Sequence, residues 1–229
     1  MSTVDRLVAL FRELPPGLAV EYLLRRGLSP LGARLHHYLL VLQPVAEGPL
    51  LPARRPSAFT IRPISEEEYR TSWFPRPESV IRARFAQGAR CWVAFRRGEA
   101  VGCQWLVPGP YDEDEVRCRF VPSPPGRVAW DFDIYIVPEL RLGRLFLQLW
   151  DTANAWMRSE GLQWSASRID ALNQASVNSH LRMGARVVGD LWFLSIGDRL
   201  QLARWPGGLH VSVREDDVPE VEVEAPPMG

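Results

Sequence analysis

Apolar and polar positions follow two periods along this chain, and the changes of period divide it. Val4, Leu7, Val8 and Phe11 recur at helical spacing behind Ser2 and Thr3, which are cap candidates. The stretch "LPPG" breaks that helix at Pro15 and Pro16. "LAVEYLLRRG" reads as a second helix ending at Gly27, and "LGARLHHYLLVLQP" is compatible with a third. The proline-containing "EGPLLPARRPS" then reads as a linker.

From Phe59 the pattern alternates. "FTIRPI" has the period of a strand. "SEEEYR" reads as a helix start, with Ser65 as cap and acids in the first turn. "PESVIRARFAQG" reads as a helix closed by Gly88. Two β-rich runs flank Arg97-Gly98, a hairpin signal. "EVRCRFV" and "VAWDFDIYIV" are two further strands around a proline-rich turn. A helix over 143–160, a strand over 164–169, a helix over 173–183 and a closing hairpin around Gly189-Asp190 complete the order. The last residues, "REDDVPEVEVEAPPMG", are rich in acids and proline and read as a loose tail, though "VEVEA" can pair as an edge strand. The spacing predicts an α+β fold with a mostly antiparallel sheet and one parallel strand-helix-strand crossover. Three parts are expected: a helical extension with linker over 1–57, a main domain over 58–208, and an acidic flexible tail over 209–229.

Composition narrows the chemistry. The chain has 229 residues, is 46% hydrophobic and 24% charged, and has a formal net charge of zero, so no global field points to nucleic acid. All 27 basic residues are arginine, which excludes a lysine nucleophile or Schiff base. Cys91, Cys103 and Cys118 have neither zinc-site nor disulfide-framework spacing, so no metal site is expected. No apolar stretch is long enough to span a membrane, and no secretory leader is legible, so a cytoplasmic, reduced protein is expected. Residues 1–57 carry seven arginines against four acids among many leucines. They suit packing on the main domain, or a peripheral contact with a membrane or partner. His36 and His37 are adjacent and carry no metal role in this reading.

The run "IYIVPELRLGRLFLQLW", Ile134 to Trp150, joins a buried strand to a buried helix through a charged turn. Leu142, Leu145, Phe146, Leu149, Trp150, Ala153 and Trp156 give that helix one apolar face. Its first turn leaves backbone N–H groups without helical partners, and these together with the helix dipole favour an anion. Gly143 lets the backbone approach closely, and Arg141 and Arg144 can donate charge-assisted hydrogen bonds to a phosphate. A plain strand-to-helix turn with two solvated arginines is the alternative.

On these residues, Tyr135 to Phe146 resemble the strand-to-helix signature of the GNAT superfamily of acyl-CoA-dependent N-acyltransferases, V-x-P-x-x-R-G-x-G-I-G. Arg141 falls on the motif arginine; Arg144 and Phe146 stand where that signature has small residues. Asn173 to Ala185 resemble the later GNAT element N-x-x-A/S-x-x-x-Y-x-x-x-G-F, with Asn173, Ser176, His180 and Gly184 in matching positions. The resemblance covers about residues 59–197. It implies a sheet of six to seven strands with helices on both faces, and acetyl-CoA or another acyl-CoA as co-substrate. It also implies a pyrophosphate cradle at Arg141, Leu142, Gly143, Arg144, Leu145 and Phe146. The strand that includes Ile136 and Val137 would face the pantetheine arm, with Asn173 bonding its amide or only capping the helix.

Acyl transfer to an amine needs a base for the amine and a proton for the leaving thiolate. His180 stands where many GNAT proteins carry a tyrosine acid, and its ordinary pKa of about 6.5 suits proton transfer. A buried histidine bonded to the protein is the alternative. Asp131 and Asp133, at period two, are expected on one face as candidate bases, or paired with an arginine of "VRCRF". Trp105, Trp130 and Tyr135 either line an acceptor cleft or belong to the core. The expected function is transfer of an acetyl group to a primary amine of a small molecule or peptide, by direct attack in a ternary complex. A degenerate member of the fold, binding CoA or a partner without turnover, is the rival reading. Association as a homodimer is left open.

Overall fold

The computed structural model describes residues 14–52, 57–141 and 143–227. The helix expected over residues 4–11 and the cradle residue Leu142 lie outside them. Four α-helices are present among the described residues: α1 (Pro16–Leu28), α2 (Glu78–Ala86), α3 (Leu145–Ser159) and α4 (Gln174–Arg182). The strands are β1 (Ala33–Pro44), β2 (Thr60–Ile64), β3 (Arg90–Arg96), β4 (Glu99–Val107), β5 (Tyr111–Asp112), β6 (Arg119–Ser123), β7 (Val128–Ile136), β8 (Trp164–Asp170), β9 (Arg186–Ile196), β10 (Leu200–Trp205), β11 (Gly208–Ser212) and β12 (Glu220–Glu224). Nine strands form one sheet in the order β11-β10-β9-β1-β8-β7-β4-β3-β2, and β12-β6-β5 form a second. In the large sheet β7 and β8 run parallel, joined through α3, while every other pair is antiparallel. No helix among the described residues is long and apolar enough to cross a membrane.

The third helix expected over "LGARLHHYLLVLQP" is instead β1, seated between β8 and β9. Leucines at 35, 39 and 42 mimic a helical stripe. Both faces of this strand are covered, however. Tyr38, Leu40 and Leu42 join the main core, while Val41 packs with Ile169, Val177 and Ala185 on the other side. A strand buried on both faces reads as a continuous apolar run, which periodicity alone cannot separate from a helix. With β1 and the C-terminal strands included, the sheet is wider than the six to seven strands expected.

Helices cover both faces. Cores on one side join α3 to the sheet through Trp92, Leu106 and Ala129, and through Ala94 and Ile136. On the other side Ile81 of α2 packs with Cys91, Val93, Cys103 and Trp105. Gly102 of β4 allows α3 to come close: a Cβ there would sit 3.0 Å from the Tyr135 carbonyl oxygen and 3.3 Å from the Leu145 side chain. The β3–β4 hairpin turns at Arg97-Gly98, both at positive φ.

Other expectations are corrected. "SEEEYR" forms a single turn, with the Tyr69 amide bonded to the Ser65 carbonyl, and no helix follows because Pro75 and Pro77 intervene before α2. Gly189-Asp190 lie inside β9, beside a register shift opposite Leu40 and Val41; the hairpins fall at 197–199 and 206–207. The tail expected to be loose holds β12, which pairs parallel to β6, with Val221, Val223 and Ala225 buried in the main core. Its alternating valines fit a half-buried strand, so the apolar half outweighs the acidic half.

Truncating Val221 to alanine should therefore lower stability by about 2 kcal/mol. Urea unfolding checks this, and a loose tail would show no change.

Candidate functional site

The site begins where two parallel strands part. β7 pairs with β8 from Val128↔Trp164 to Asp131↔Ser167 and no further. β7 continues to Ile136 along β4, and β8 continues to Asp170 along β1. The opening between them is the mouth of a cleft of about 1040 Å³. Asp131 to Ile136 line one wall, Ser167 to Asp170 the other, and α4 contributes Ser176, Ser179 and His180. Arg141, Gly143 and Phe146 line it where α3 begins.

A β-bulge sets the chemistry of the first wall. Trp105 pairs with Asp133 and Leu106 with Asp131, so Phe132 is an extra residue. Trp105 faces the core of α2 and Leu106 that of α3. Paired residues share a face, so the bulge sends Asp131 and Asp133 to opposite sides of the sheet. This corrects the expectation of two carboxylates on one face.

Their environments differ accordingly. Asp133 accepts from Arg76 Nε at 3.0 Å, from Arg76 Nη2 at 3.0 Å and from Arg84 Nη1 at 2.7 Å. It is held in an ion-pair network and not poised as a base; the arginines come from α2 and the segment before it, not from "VRCRF". Asp131 is buried without a cationic partner, and its hydrogen bond is from Gln104 Nε2 at 3.4 Å. Burial, aided by the neighbouring Asp133 charge and opposed by Gln104, pushes its carboxyl up to about 7. Such a carboxylate changes charge near neutrality, as a general base must.

The acidic run Asp112 to Glu115, unassigned by sequence reasoning, fastens the second sheet to the first. Glu113 takes two hydrogen bonds from Arg168, at 3.0 and 2.8 Å, and Asp114 two from Arg84, at 3.0 and 2.7 Å. Glu115 lies 3.0 Å from Arg168 and accepts from the Tyr38 hydroxyl at 3.0 Å. Trp105 and Trp130 are fully buried core residues, while Tyr135 lines the cleft.

At the far end, α3 starts at Leu145 with no side-chain cap and no acid in its first turn. Its first amides are thus left to a ligand or solvent. Gly143 is confined, since a Cβ there would stand 3.2 Å from the Leu140 carbonyl oxygen. Arg141 is folded back, its Nε donating to the Ile136 carbonyl at 3.0 Å. Arg144 reaches out toward the Pro52 carbonyl at 3.5 Å. Ile136 is buried against Leu145 and Leu149, and the Val137 amide donates to Val101, so the chain leaves β7 in a fixed direction. Phe146 turns its ring toward His180, at 5.9 Å between centroids. Asn173 caps α4, its Oδ1 accepting from the Ser176 amide at 3.2 Å. These features suit a phosphorylated ligand with an extended arm: an uncapped helix start, a nearby guanidinium, a closely packed glycine and an unpaired strand edge.

His180 is buried, edge-on to Trp150 at 5.3 Å, with Nδ1 3.0 Å from Gln43 Oε1. Burial lowers its pKa to about 4. The ring is neutral near neutrality, which does not suit the expected proton donor; the alternative, a histidine bonded to the protein, is what the geometry holds. Among the described residues no cluster of three or more His, Cys, Asp or Glu could hold a metal ion.

The sequence profile of the Acetyltransferase (GNAT) family matches residues 58–185, more than half of the chain, and the protein therefore belongs to that family. No curated protein matches it in sequence. Among solved structures it resembles a functionally unknown conserved protein from Staphylococcus epidermidis ATCC 12228, with a TM-score of 0.52 and 12% identity over 75% of this chain and 66% of that one, a likeness of fold. The chain thus spans just under two thirds of that protein. Weaker likenesses are to an aminoglycoside N-acetyltransferase in complex with CoA (TM-score 0.43, 20% identity, 58% of this chain and 91% of that one) and to a GNAT family acetyltransferase from Elizabethkingia anophelis with acetyl-CoA bound (TM-score 0.42, 11% identity, 56% and 75%).

The raised pKa of Asp131 has a stability consequence. Between about pH 4 and pH 7 the folded state keeps a proton that the unfolded chain releases, so stability falls as pH rises through that window. Asp131→Asn removes the penalty. At pH 8 this variant should be more stable than the parent by a few kcal/mol, at about 1.4 kcal/mol per pKa unit. The difference should vanish by pH 4. Thermal melts at the two pH values check this, and an equal offset at both would refute it.

Proposed function

We propose that the protein transfers an acyl group, acetyl in the first instance, from an acyl-CoA to a primary amine by direct attack in a ternary complex. The observation that carries this reading is the parting of β7 from β8, which puts Asp131, without a cationic partner, in one cleft with the uncapped start of α3. Acyl-CoA supplies the thioester, whose carbonyl carbon bonds to the amine nitrogen while the carbon–sulfur bond breaks.

The chain's own groups then have distinct tasks. The first amides of α3, with Arg141 and Arg144 nearby, hold the pyrophosphate, and Gly143 leaves it room. The free edge of β7 up to Ile136 offers backbone groups to the amides of the arm, the mode by which an extended segment joins a sheet edge. Asn173 keeps α4 in place by capping it and presents the rest of its amide to the same arm. Asp131 accepts the proton that the attacking amine gives up. The departing thiolate takes its proton from solvent, since His180 is neutral at the start. Phe146 shapes the floor, where it packs against His180, and Leu145 anchors the start of α3 in the core behind it. Direct attack needs no cysteine, and Cys91, Cys103 and Cys118 are all buried free thiols.

Asp133 belongs to the opposite face, where its clamp to Arg76 and Arg84 forms the far wall of the opening. An amine would arrive in the opening between that wall and Asp131, where both line the cleft. The site suits a polar acceptor, whether a small molecule or a peptide N-terminus.

Titration calorimetry with acetyl-CoA tests the first half of the reading. Micromolar binding is expected, weakened about tenfold in Arg141→Ala by loss of one charge-assisted contact. No heat from the parent protein would overturn it. Thiol release on an amine panel tests the second half. The rate should rise with pH through about 7, as Asp131 ionises, and fall at least a hundredfold in Asp131→Asn. A flat pH profile would remove Asp131 from the role of base.

A further inference from the structure

Gln43 lies near the end of β1, in the apolar run "LLVLQP", and is almost wholly buried. A buried amide costs free energy unless it is hydrogen-bonded. Its side-chain oxygen meets His180 Nδ1 at 3.0 Å. β1 lies outside residues 58–185, the part matched to the family, yet it pairs with the cleft-lining strand β8 and meets the cleft residue His180 through this side chain. Around it the strand is fixed: Val41 packs on Val177 of α4, the Pro44 ring lies 3.6 Å from where a Cβ on Gly184 would stand, and the Ala46 amide bonds to Asn154 of α3 at 3.4 Å. Gln43 therefore has a fixed place from which to hold the ring.

We propose that Gln43 is a positioning residue for the acyl-CoA site: it holds the His180 ring with the proton on Nδ1, so that Nε2 presents a lone pair to the cleft. An amide oxygen accepts and does not donate, so a hydrogen bond from Nδ1 leaves Nε2 as acceptor. Phe146 and Trp150 stand edge-on around the ring, so its polar contact with the protein runs through Gln43. The ligand chemistry that such a lone pair takes is an N–H donor, which the arm of CoA carries as amides. The inference rests on the acyl-CoA reading for its ligand, but not for the tautomer.

Gln43→Glu keeps the shape and changes the electrostatics. A carboxylate against Nδ1 favours the imidazolium, in which both nitrogens donate. The other charged groups lining the cleft are Arg76 and Arg84 before and on α2, Asp114 and Glu115 before β6, Asp131 and Asp133 on β7, Arg141 before α3, Arg168 and Asp170 on β8, and Arg182 on α4; burial alone sets the ring's present pKa. The experiment pairs nitrogen NMR of the His180 ring with CoA titrations from pH 5.5 to 8.5. The parent should show the Nδ1–H tautomer, no ring titration in this range, and CoA affinity free of any step from His180. In Gln43→Glu the ring should titrate within the range, and CoA binding should weaken about tenfold on the acid side of that step, the size of one lost hydrogen bond. A thermal melt of the variant confirms that it is folded. An Nε2–H tautomer in the parent, with CoA binding intact, overturns the assignment to Gln43. So does a CoA affinity that stays level while the variant's ring titrates. Failure of the parent to bind CoA overturns the acyl-CoA reading and the role with it, whatever the tautomer.

Discussion

The structure depends on a single interruption of hydrogen bonding. Two parallel strands pair for four residues and then stop, at Asp131 and Ser167. Unpaired backbone groups inside a protein are costly, so an open edge persists only where something else can meet it. Here β4 keeps β7 hydrogen-bonded on one side and β1 keeps β8 hydrogen-bonded on the other. The gap is thus imposed by two neighbours, and the bulge at Phe132 gives β7 the extra twist that takes it away from β8. Everything assigned to the site lies along that gap.

The bulge also separates two carboxylates that are one residue apart from being neighbours. On one side Asp133 is saturated with guanidinium donors. On the other Asp131 has only an amide at the limit of a hydrogen bond. One inserted residue thus gives similar side chains different partners, an arginine clamp for one and a lone amide for the other. The absence of lysine is consistent with this design. Buried Arg84 and Arg168 each serve more than one carboxylate, which the forked guanidinium can do and an ammonium cannot do with the same geometry.

Much of this was legible in the sequence. The β7–α3 turn was readable because strand, proline, arginine, glycine and amphipathic helix each leave a local mark. The α4 element was readable because Asn173 and Gly184 fall at its two ends. What escaped was non-local. Residues 33–44 carry a leucine spacing that fits either period, and only burial on both faces decides it. The bulge has no glycine or proline to announce it, so Asp131 and Asp133 looked equivalent. The tail seemed too acidic to fold, yet its valines alternate and find a core. Gln43 left a faint signal, one amide in an apolar run, which makes sense only once His180 stands opposite.

The seat of β1 in the middle of the large sheet constrains how the molecule can be made. Tyr38 lies opposite Asp170, 132 residues further along the chain. On a ribosome the strand emerges well before β8 and β9 and then waits, its two edges and both apolar faces exposed, until they have followed. No fragment that ends before β8 and β9 can complete the sheet around β1, so the chain has little means of folding piece by piece as it is synthesised. Contacts of such long range slow folding and lengthen the exposure of sticky edges. The protein's yield in a cell is therefore expected to depend on chaperone supply and growth temperature more than its finished stability would suggest.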